Sequence, residues 1–135
     1  MSDELPTPEP PITPETERFW DATGEDILLL TQCSDCGDIF HYPRVRCPHC
    51  ASSETEWIEG SGKGTIYSYT VTRTTGGKYA NATPFVLAYV ELDEGPRVMT
   101  NIVDADLDDI EVEQRVRVTF HETDEDHRLP RFTPV

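Results

Sequence analysis

All four cysteines of this 135-residue chain lie in one short segment, as two pairs with the same internal spacing. Two residues separate Cys33 from Cys36 and Cys47 from Cys50, and ten residues lie between the pairs. A Cys-x-x-Cys turn lets two thiolates converge on one metal ion, and two such turns complete a tetrahedral zinc site. The spacing therefore predicts a zinc ribbon in which these four cysteines are the ligands.

Four thiolates fill the coordination sphere of zinc and leave no position for a substrate, so we expect a structural metal. His41 and His49 lie near the cysteines but are interpreted as bystanders. The alternative is two disulfides, or cysteines that are free or redox-active. Disulfides need an oxidising compartment, and we interpret the preceding sequence as carrying no signal peptide. A redox motif would need only one pair.

No other motif predicts a catalytic centre. A serine or cysteine nucleophile with a histidine and an orienting acid is not recognisable. His121 and His127 lie among acidic residues that are more typical of a solvated loop than of a metal site. The segment Gly76–Tyr79 could bind phosphate through its amides, but it lacks the strand and helix of a phosphate-binding loop. The residues therefore predict a binding or assembly module rather than an enzyme.

The chain is strongly acidic, with 26 Asp and Glu against 11 Lys and Arg and a net charge of −15. Nucleic-acid binding depends on cationic contacts, so nucleic acid is an unlikely class of partner. We attribute the acidity to adaptation to concentrated salt, and a basic partner is the alternative. The longest apolar run, residues 27–30, is too short for a membrane helix, and we expect a cytoplasmic protein.

The N-terminal part is expected to consist of a tail and a short helix. Residues 1–12 are acidic and proline-rich, which predicts a disordered tail. Thr13 is a predicted helix cap with Pro14 at the first helical position, and the helix should run to about Ala22. Phe19 and Trp20 are predicted to form an exposed pair that docks on this chain's own ribbon or on another protein. Packing inside the chain is the alternative.

The rest of the chain predicts a mainly β fold. Residues 27–32 and 56–59 are expected to be ribbon strands, which gives a helix and rubredoxin-like zinc ribbon over residues 13–59. Three glycines within residues 60–64 indicate a flexible joint and a boundary. Residues 60–135 then contain five alternating or apolar segments, at 65–73, 85–92, 97–103, 115–121 and 129–135. They predict a five-stranded OB-fold barrel rather than an open sheet, which would leave unprotected edges.

Several motifs occur in an order that resembles one family. They are the Phe19–Trp20 pair, the four cysteines with Pro43 and Arg44 between them, Ser61–Thr65, Val90–Gly95 and Leu129–Pro134. Together they resemble the small zinc-ribbon and OB-fold accessory proteins that are associated with thiolases and related acyl-CoA enzymes. The chain departs from the family pattern before the fourth barrel strand, where Glu113 and Gln114 replace the usual glycine and apolar residue. This difference concerns the local turn.

The resemblance implies a non-catalytic accessory subunit that forms a hetero-oligomer with a thiolase-like protein. The partner would be an acetoacetyl-CoA thiolase, with or without a hydroxymethylglutaryl-CoA synthase, or else an acyl-CoA hydratase or aldolase. Acyl-CoA would be bound only through the partner, which supplies the catalytic residues. Phe19 and Trp20 match the helix expected to dock, and Tyr79 is a further expected partner contact.

Two other functions remain open from the sequence. A single-stranded nucleic-acid-binding protein could stack bases on Tyr67, Tyr69 and Tyr79, although no cationic groove is evident. A free-standing scaffold or metal-dependent regulatory module with an unrelated partner is the second alternative.

Overall fold

The chain folds into a small sheet followed by a closed barrel. The structure, a computed structural model, describes residues 5–135. The α-helix is α1 (Glu17–Thr23), and the strands are β1 (Leu29–Cys33), β2 (Ile39–Phe40), β3 (Thr55–Glu59), β4 (Lys63–Thr72), β5 (Phe85–Leu92), β6 (Arg97–Ile102), β7 (Arg115–Glu122) and β8 (Arg128–Pro134). Two short 3₁₀ helices span Gly77–Ala82 and Leu107–Asp109.

The sheet topology confirms the predicted fold class. Strands β1 to β3 form an antiparallel sheet in the order β2-β1-β3. Strands β4 to β8 close into a barrel in the order β4-β5-β6-β8-β7, which is the five-stranded arrangement expected of an OB fold. Closure removes the exposed sheet edges that an open arrangement would leave.

Strand β5 differs from its predicted environment. Its apolar composition on both faces predicts a strand buried on both sides, but Leu87 and Tyr89 point outward and are exposed. Val86, Ala88 and Val90 point inward and are buried. A small barrel has only one interior, so the second face of a central strand meets solvent unless another element covers it. These outward residues form a surface that is described below.

Helix α1 begins later than predicted. Residues 14–16 form a turn, in which the Thr16 N–H donates to the Thr13 carbonyl over 3.0 Å. The helix begins at Glu17, so Pro14 is not its first residue. Its end agrees closely with the prediction, since the last helical residue is Thr23 and Gly24 is the C-cap.

The predicted flexible joint at residues 60–64 is instead closely packed. A Cβ on Gly64 would lie 2.7 Å from the Glu91 carbonyl oxygen, and one on Gly62 would lie 2.6 Å from a Val118 methyl group. Gly62 also has a φ of +77°, which favours glycine. The glycines are thus required by close approach of the backbone to the barrel and not by flexibility.

The N-terminal tail contacts the barrel in the part that the structure describes. Residues 5–12 form no helix or strand, and residues 1–4 lie outside the described residues. The Pro6 carbonyl accepts a hydrogen bond of 2.6 Å from Arg131. The Glu9 carboxylate is bonded to Thr123 and His127. The prediction of a wholly disordered tail is therefore corrected, because Glu9 and Pro6 find specific polar partners on β8 and beside it.

One hydrophobic core joins the helix, the ribbon and the barrel. Its buried side chains come from α1, from β1 and the residue before it, from all five barrel strands and from the connection between β6 and β7. The most deeply buried are Phe19, Leu30, Ile66, Val90, Val116 and Phe132. The two predicted modules therefore share one apolar interior. No helix in residues 5–135 is long and apolar enough to cross a membrane.

Candidate metal centre and the adjoining cleft

The structure brings all four predicted ligands together at one end of the ribbon. Cys33 is the last residue of β1, and the other three cysteines lie in the connections between β1, β2 and β3. The four sulfur atoms all lie within 4.8 Å of one another. The distance from the Cys33 Sγ to the Cys50 Sγ is 3.6 Å, as is that from Cys36 to Cys47. This geometry surrounds a single point with four thiol groups.

Both Cys-x-x-Cys segments are tight turns of the same kind. The Gly37 N–H donates to the Cys33 carbonyl over 2.9 Å, and the Ala51 N–H donates to the Cys47 carbonyl over 2.8 Å. Gly37 and Ala51 have φ angles of +80° and +66°, so the backbone changes direction directly after the second cysteine of each pair. Gly37 adopts this left-handed conformation without a Cβ, whereas Ala51 adopts it with a side chain.

Backbone amides also stabilise charge on the sulfur atoms. The Cys36 N–H lies 3.4 Å from the Cys33 Sγ, and the His49 N–H lies 3.3 Å from the Cys47 Sγ. The backbone N–H of Cys36 is the main cause that lowers the pKa of Cys33 to about 7, against the effect of burial. The Asp38 N–H acts to lower the pKa of Cys36. Burial and the neighbouring thiols act in the opposite direction and outweigh it, so the pKa of Cys36 is raised to about 12.

Four thiolates at these distances require a compensating cation. The neighbouring thiols favour ionisation of Cys33, whose pKa they lower, but oppose that of Cys36, whose pKa they raise. A divalent metal overcomes this by releasing the protons on binding. Four cysteine sulfurs in a closed tetrahedral set fit zinc, and they leave it no open position. No histidine belongs to this group of candidate ligands in residues 5–135.

His41 lies half-buried beside helix α1 rather than at the metal centre. Its ring lies 5.2 Å from the Phe19 ring, measured between centroids. Burial lowers the pKa of His41 to about 4, so the ring is neutral at physiological pH. Its Nδ1 atom is buried and has no hydrogen-bond partner among the described residues.

The prediction of an exposed aromatic pair is wrong. Phe19 is 1% exposed and Trp20 is 7% exposed, because α1 packs against β1 and β8. The two rings meet edge to face at 4.9 Å, and the Trp20 Nε1–H donates to the Tyr42 hydroxyl over 2.8 Å. The pair thus packs inside the chain, against its own ribbon, as one of the two expected docking partners and the alternative both allowed. Whether these residues also help to bind a partner remains a prediction.

A cleft of about 290 Å³ nevertheless brings the three predicted partner-binding residues together. Phe19, Trp20 and Tyr79 all line it, together with residues of β6 and β8. Tyr42 and Arg131 also line it, and sequence reasoning did not select either of them. Nothing in their local sequence indicates this role, since Tyr42 comes from the ribbon and Arg131 from the last strand.

Arg131 is an unusual member of the cleft because its guanidinium is buried. The residue is 3% exposed, and its two terminal nitrogens bond to the His121 Nδ1 and the Pro6 carbonyl. Burial lowers the pKa of Arg131, which contact with Tyr79 partly offsets. Among the described residues no carboxylate forms a salt bridge with Arg131. Its guanidinium is instead hydrogen-bonded to the two neutral groups, the His121 ring and the Pro6 carbonyl.

The other candidate motifs do not assemble into sites. His127 contacts the carboxylates of Glu9 and Asp21, whereas His121 faces Arg131. The two histidines therefore serve separate polar contacts and not one metal. The segment Gly76–Tyr79 leads into the 3₁₀ helix of residues 77–82, and no Cβ contact lies within 4 Å of Gly76 or Gly77. It forms an open surface turn and not a phosphate-binding loop.

A closed four-cysteine ribbon that shares its core with a five-stranded barrel defines a zinc-ribbon and OB-fold protein. Two family models match the chain: the rubredoxin-like zinc ribbon domain of ChsH2 over residues 20–56, and the C-terminal OB-fold domain of ChsH2 over residues 57–121. The chain belongs to this ChsH2 zinc-ribbon and OB-fold family, which confirms the resemblance found in the sequence.

Relatives from several organisms are similar over most of the chain. A DUF35 domain-containing scaffold protein of Methanothermobacter thermautotrophicus is 38% identical over 83% of this chain and 86% of its own length. A probable enoyl-CoA hydratase alpha subunit of Thermomonospora curvata is 35% identical over 94% of this chain but only 40% of its own length. The benzoylsuccinyl-CoA thiolase subunit BbsA of Geobacter metallireducens is 30% identical over 72% of this chain and 64% of its own length.

A solved structure has the same fold at similar length. The chain superposes on a chain of the Ltp2-ChsH2(DUF35) aldolase with a TM-score of 0.82 and 34% sequence identity. The match covers 93% of this chain and 98% of the other. These relatives are named as a scaffold protein, as subunits of an enoyl-CoA hydratase and a benzoylsuccinyl-CoA thiolase, and as part of an aldolase.

Proposed function

We propose that this chain is a non-catalytic accessory subunit of a thiolase-type acyl-CoA enzyme. In this proposal the partner holds the catalytic residues, and this chain docks on it and helps to shape its acyl-CoA channel. The partner is a thiolase of the acetoacetyl-CoA type, with or without a hydroxymethylglutaryl-CoA synthase. The whole assembly is a hetero-oligomer.

The observation that carries the proposal is the closed metal centre. The four cysteines are the only group in residues 5–135 whose side chains are placed to hold a metal, and their thiolates leave zinc no site for substrate. The name of the thiolase subunit BbsA supports a thiolase as the partner. The names of the other relatives support a hydratase or an aldolase as the second candidate.

A structural role for zinc follows from the same geometry. The metal joins the end of β1 to the connections on both sides of β2, and these segments contribute little apolar surface of their own beyond Cys33, Phe40 and Cys47. A small ribbon of this kind depends on its metal for folding. We expect zinc removal to abolish partner binding first and to affect activity only through that loss.

Reconstitution with purified partners tests the proposal. The full chain is mixed with the purified thiolase, hydratase or aldolase of the same cell, and complex formation is followed by light scattering after gel filtration. We expect one of these enzymes to form a stable complex and to gain acyl-CoA turnover in it. The chain alone should show no turnover with the same substrates.

The same experiment contains the outcomes that oppose the proposal. Turnover by the chain alone would show that it is an enzyme. Binding of a single-stranded oligonucleotide with a steep salt dependence, and of none of the enzymes, would favour a nucleic-acid-binding protein. Cys47→Ser serves as a zinc-deficient control, and its zinc content is measured directly.

A further inference from the structure

The outer face of strands β4, β5 and β6 carries a cluster of exposed apolar side chains. We call this the tyrosine face, and it consists of Tyr67, Leu87, Tyr89 and Met99. Tyr67 is 48% exposed, Tyr89 is 47% exposed and Met99 is 64% exposed. Contiguous apolar surface of this kind is uncommon on a protein that works alone, and it marks places where another molecule binds.

Strand register makes these side chains one surface. Tyr89 lies directly opposite Met99 on β6 and opposite Ser68 on β4. Leu87 lies opposite Thr70 on β4. A depression of about 200 Å³ opens between these strands and is lined by Tyr69, Leu87, Tyr89 and Met99 together with smaller residues. It is large enough to accept a side chain from a partner.

The charge pattern separates this face from the rest of the molecule. Of the 26 acidic residues in the chain, Glu91 alone lies on these three strands. The same strands carry two cations, Lys63 and Arg97, and the Arg97 guanidinium stacks 3.8 Å above the Tyr67 ring. Interface centres are depleted in carboxylates and enriched in Tyr, Met and Arg, which describes this surface.

An accessory subunit needs a surface that contacts its partner enzyme. Phe19 and Trp20 cannot form a broad docking surface, because they are buried by the chain's own helix and ribbon. The tyrosine face adjoins the cleft that they line, since Met99 borders both the cleft and the depression. A partner seated on the tyrosine face would therefore also reach the mouth of the cleft.

The charges on the tyrosine face favour a different protein as its partner over single-stranded nucleic acid or a second copy of this chain. Two cations on three strands are too few for the continuous positive groove of a single-stranded nucleic-acid site. A second copy of this chain would bring two molecules of net charge −15 together. A different protein that presents apolar side chains bordered by carboxylates would meet both the tyrosines and the cations.

We propose that the tyrosine face is the surface on which the partner enzyme docks, with Tyr89 and Met99 at its centre and Arg97 pairing with a carboxylate of the partner. This inference rests on the proposed function, because the partner is the acyl-CoA enzyme identified there. Aromatic side chains in a well-packed centre carry much of the affinity of an interface, so Tyr89 is the sharpest point to test.

The test measures affinity for the enzyme that forms the complex in the reconstitution, using the full-length chain with its zinc. Tyr89→Asp and Met99→Asp should each raise the Kd at least tenfold. Arg97→Glu should raise it less and should weaken its dependence on salt. Val45→Asp is the matched control, since Val45 is 65% exposed on the ribbon, and it should leave the Kd within twofold.

Folding and other occupants are checked with the same variants. Each variant should retain zinc and the circular dichroism of the parent; if Tyr89→Asp does not, Tyr89→Thr replaces it as a residue suited to a strand. Wild-type affinity for both Tyr89 and Met99 variants would overturn the assignment while leaving the accessory function intact. Self-association, or oligonucleotide binding, that Met99→Asp abolishes would also overturn it. Absence of any enzyme complex would instead refute the proposed function.

Discussion

The indole Nε1–H of Trp20 donates a hydrogen bond to the hydroxyl oxygen of Tyr42 over 2.8 Å. The bond joins helix α1 to the segment between the two cysteine pairs, 22 residues further along the chain. Phe19 packs against both rings, with centroid distances of 4.9 Å to Trp20 and 5.6 Å to Tyr42. The helix is thus fixed to the zinc ribbon by an aromatic cluster with one directional contact.

Changes to this pair should lower stability without releasing the metal. Trp20→Ala is expected to lower the free energy of unfolding by about 3–5 kcal/mol, the usual cost of removing a buried aromatic side chain. Tyr42→Phe removes only the hydroxyl and should cost about 0.5–1.5 kcal/mol. Urea unfolding measures both, and the zinc content of each folded variant should equal that of the parent.

Double substitution shows whether the hydrogen bond itself contributes. If it does, Trp20→Phe with Tyr42→Phe should cost less than the two single changes together, because the second change removes a bond that is already lost. Strict additivity would mean that only packing matters. Loss of zinc with Trp20→Ala under folding conditions would contradict the separation of the aromatic cluster from the metal centre.

Gly64 should tolerate no side chain. A Cβ there would lie 2.7 Å from both the Glu91 carbonyl oxygen and a Val90 methyl group. Gly64→Ala is therefore expected to lower the free energy of unfolding by about 1–3 kcal/mol, as overpacking of a core does. Thermal unfolding followed by circular dichroism measures the change.

Gly76 provides the matched control for this substitution. It has nothing within 4 Å of the Cβ position and a φ of −102°, which any residue adopts. Gly76→Ala should be neutral or stabilise the protein by about 0.4–1 kcal/mol through the unfolded chain. Equal effects of the two substitutions would argue against close packing at Gly64.

Glu113 has a left-handed backbone conformation, which favours glycine. Its φ is +74°, in the turn before β7 where the chain departs from the family pattern. Its N–H donates to the Ile66 carbonyl over 2.8 Å, which fixes this conformation. Glu113→Gly relieves the strain of the left-handed conformation, but glycine also has greater entropy in the unfolded chain, which offsets part of the gain. The net effect should raise the free energy of unfolding by up to about 1 kcal/mol.

Two controls separate backbone strain from charge at this turn. Glu113→Ala removes the carboxylate but keeps a Cβ, and it should give little of the gain. Glu111→Gly removes a carboxylate two residues away at a position without a positive φ, and it should be neutral or destabilising. A gain with Glu113→Ala as large as that with Glu113→Gly would assign the effect to charge.

Burial of His41 predicts a loss of stability in weak acid. The pKa of His41 is about 4 in the folded protein and about 6.5 when unfolded, so the unfolded state binds the extra proton between these values. The stabilising effect is complete above pH 6.5 and decreases as the pH falls toward 4, by up to about 1.4 kcal/mol per pH unit. Chemical unfolding at several pH values with zinc in the buffer measures this slope.

His41→Phe should remove most of this slope because it keeps the ring beside Phe19 and cannot be protonated. Part of the slope should remain, since burial and then Arg131 also lower the pKa of His121. The depressed pKa of Glu9 acts below pH 4.5 and so overlaps only the acid end of this range. An unchanged slope in His41→Phe at constant zinc content would show that another group, or the metal thiolates, governs the acid response.

Local patterns in the sequence predicted the features that depend on neighbouring residues. The spacing of Cys33, Cys36, Cys47 and Cys50 fixes the two turns, and alternation along the strands predicts the barrel. The sequence predicted Trp20 at the surface because the residues that bury it belong to a distant segment, the ribbon with Tyr42. The acid-poor tyrosine face depends on the register of three strands, which composition along the chain does not reveal.

The single core has a consequence for how the chain loses its structure. Leu28 and Leu30 of the ribbon lie in the same apolar cluster as Val90 and Phe132 of the barrel, so neither part can be exposed without opening the other. Withdrawal of the metal at one end would therefore loosen the closure of the barrel at the other. The two family models meet between residues 56 and 57, but we expect the molecule to unfold across this boundary as one cooperative unit.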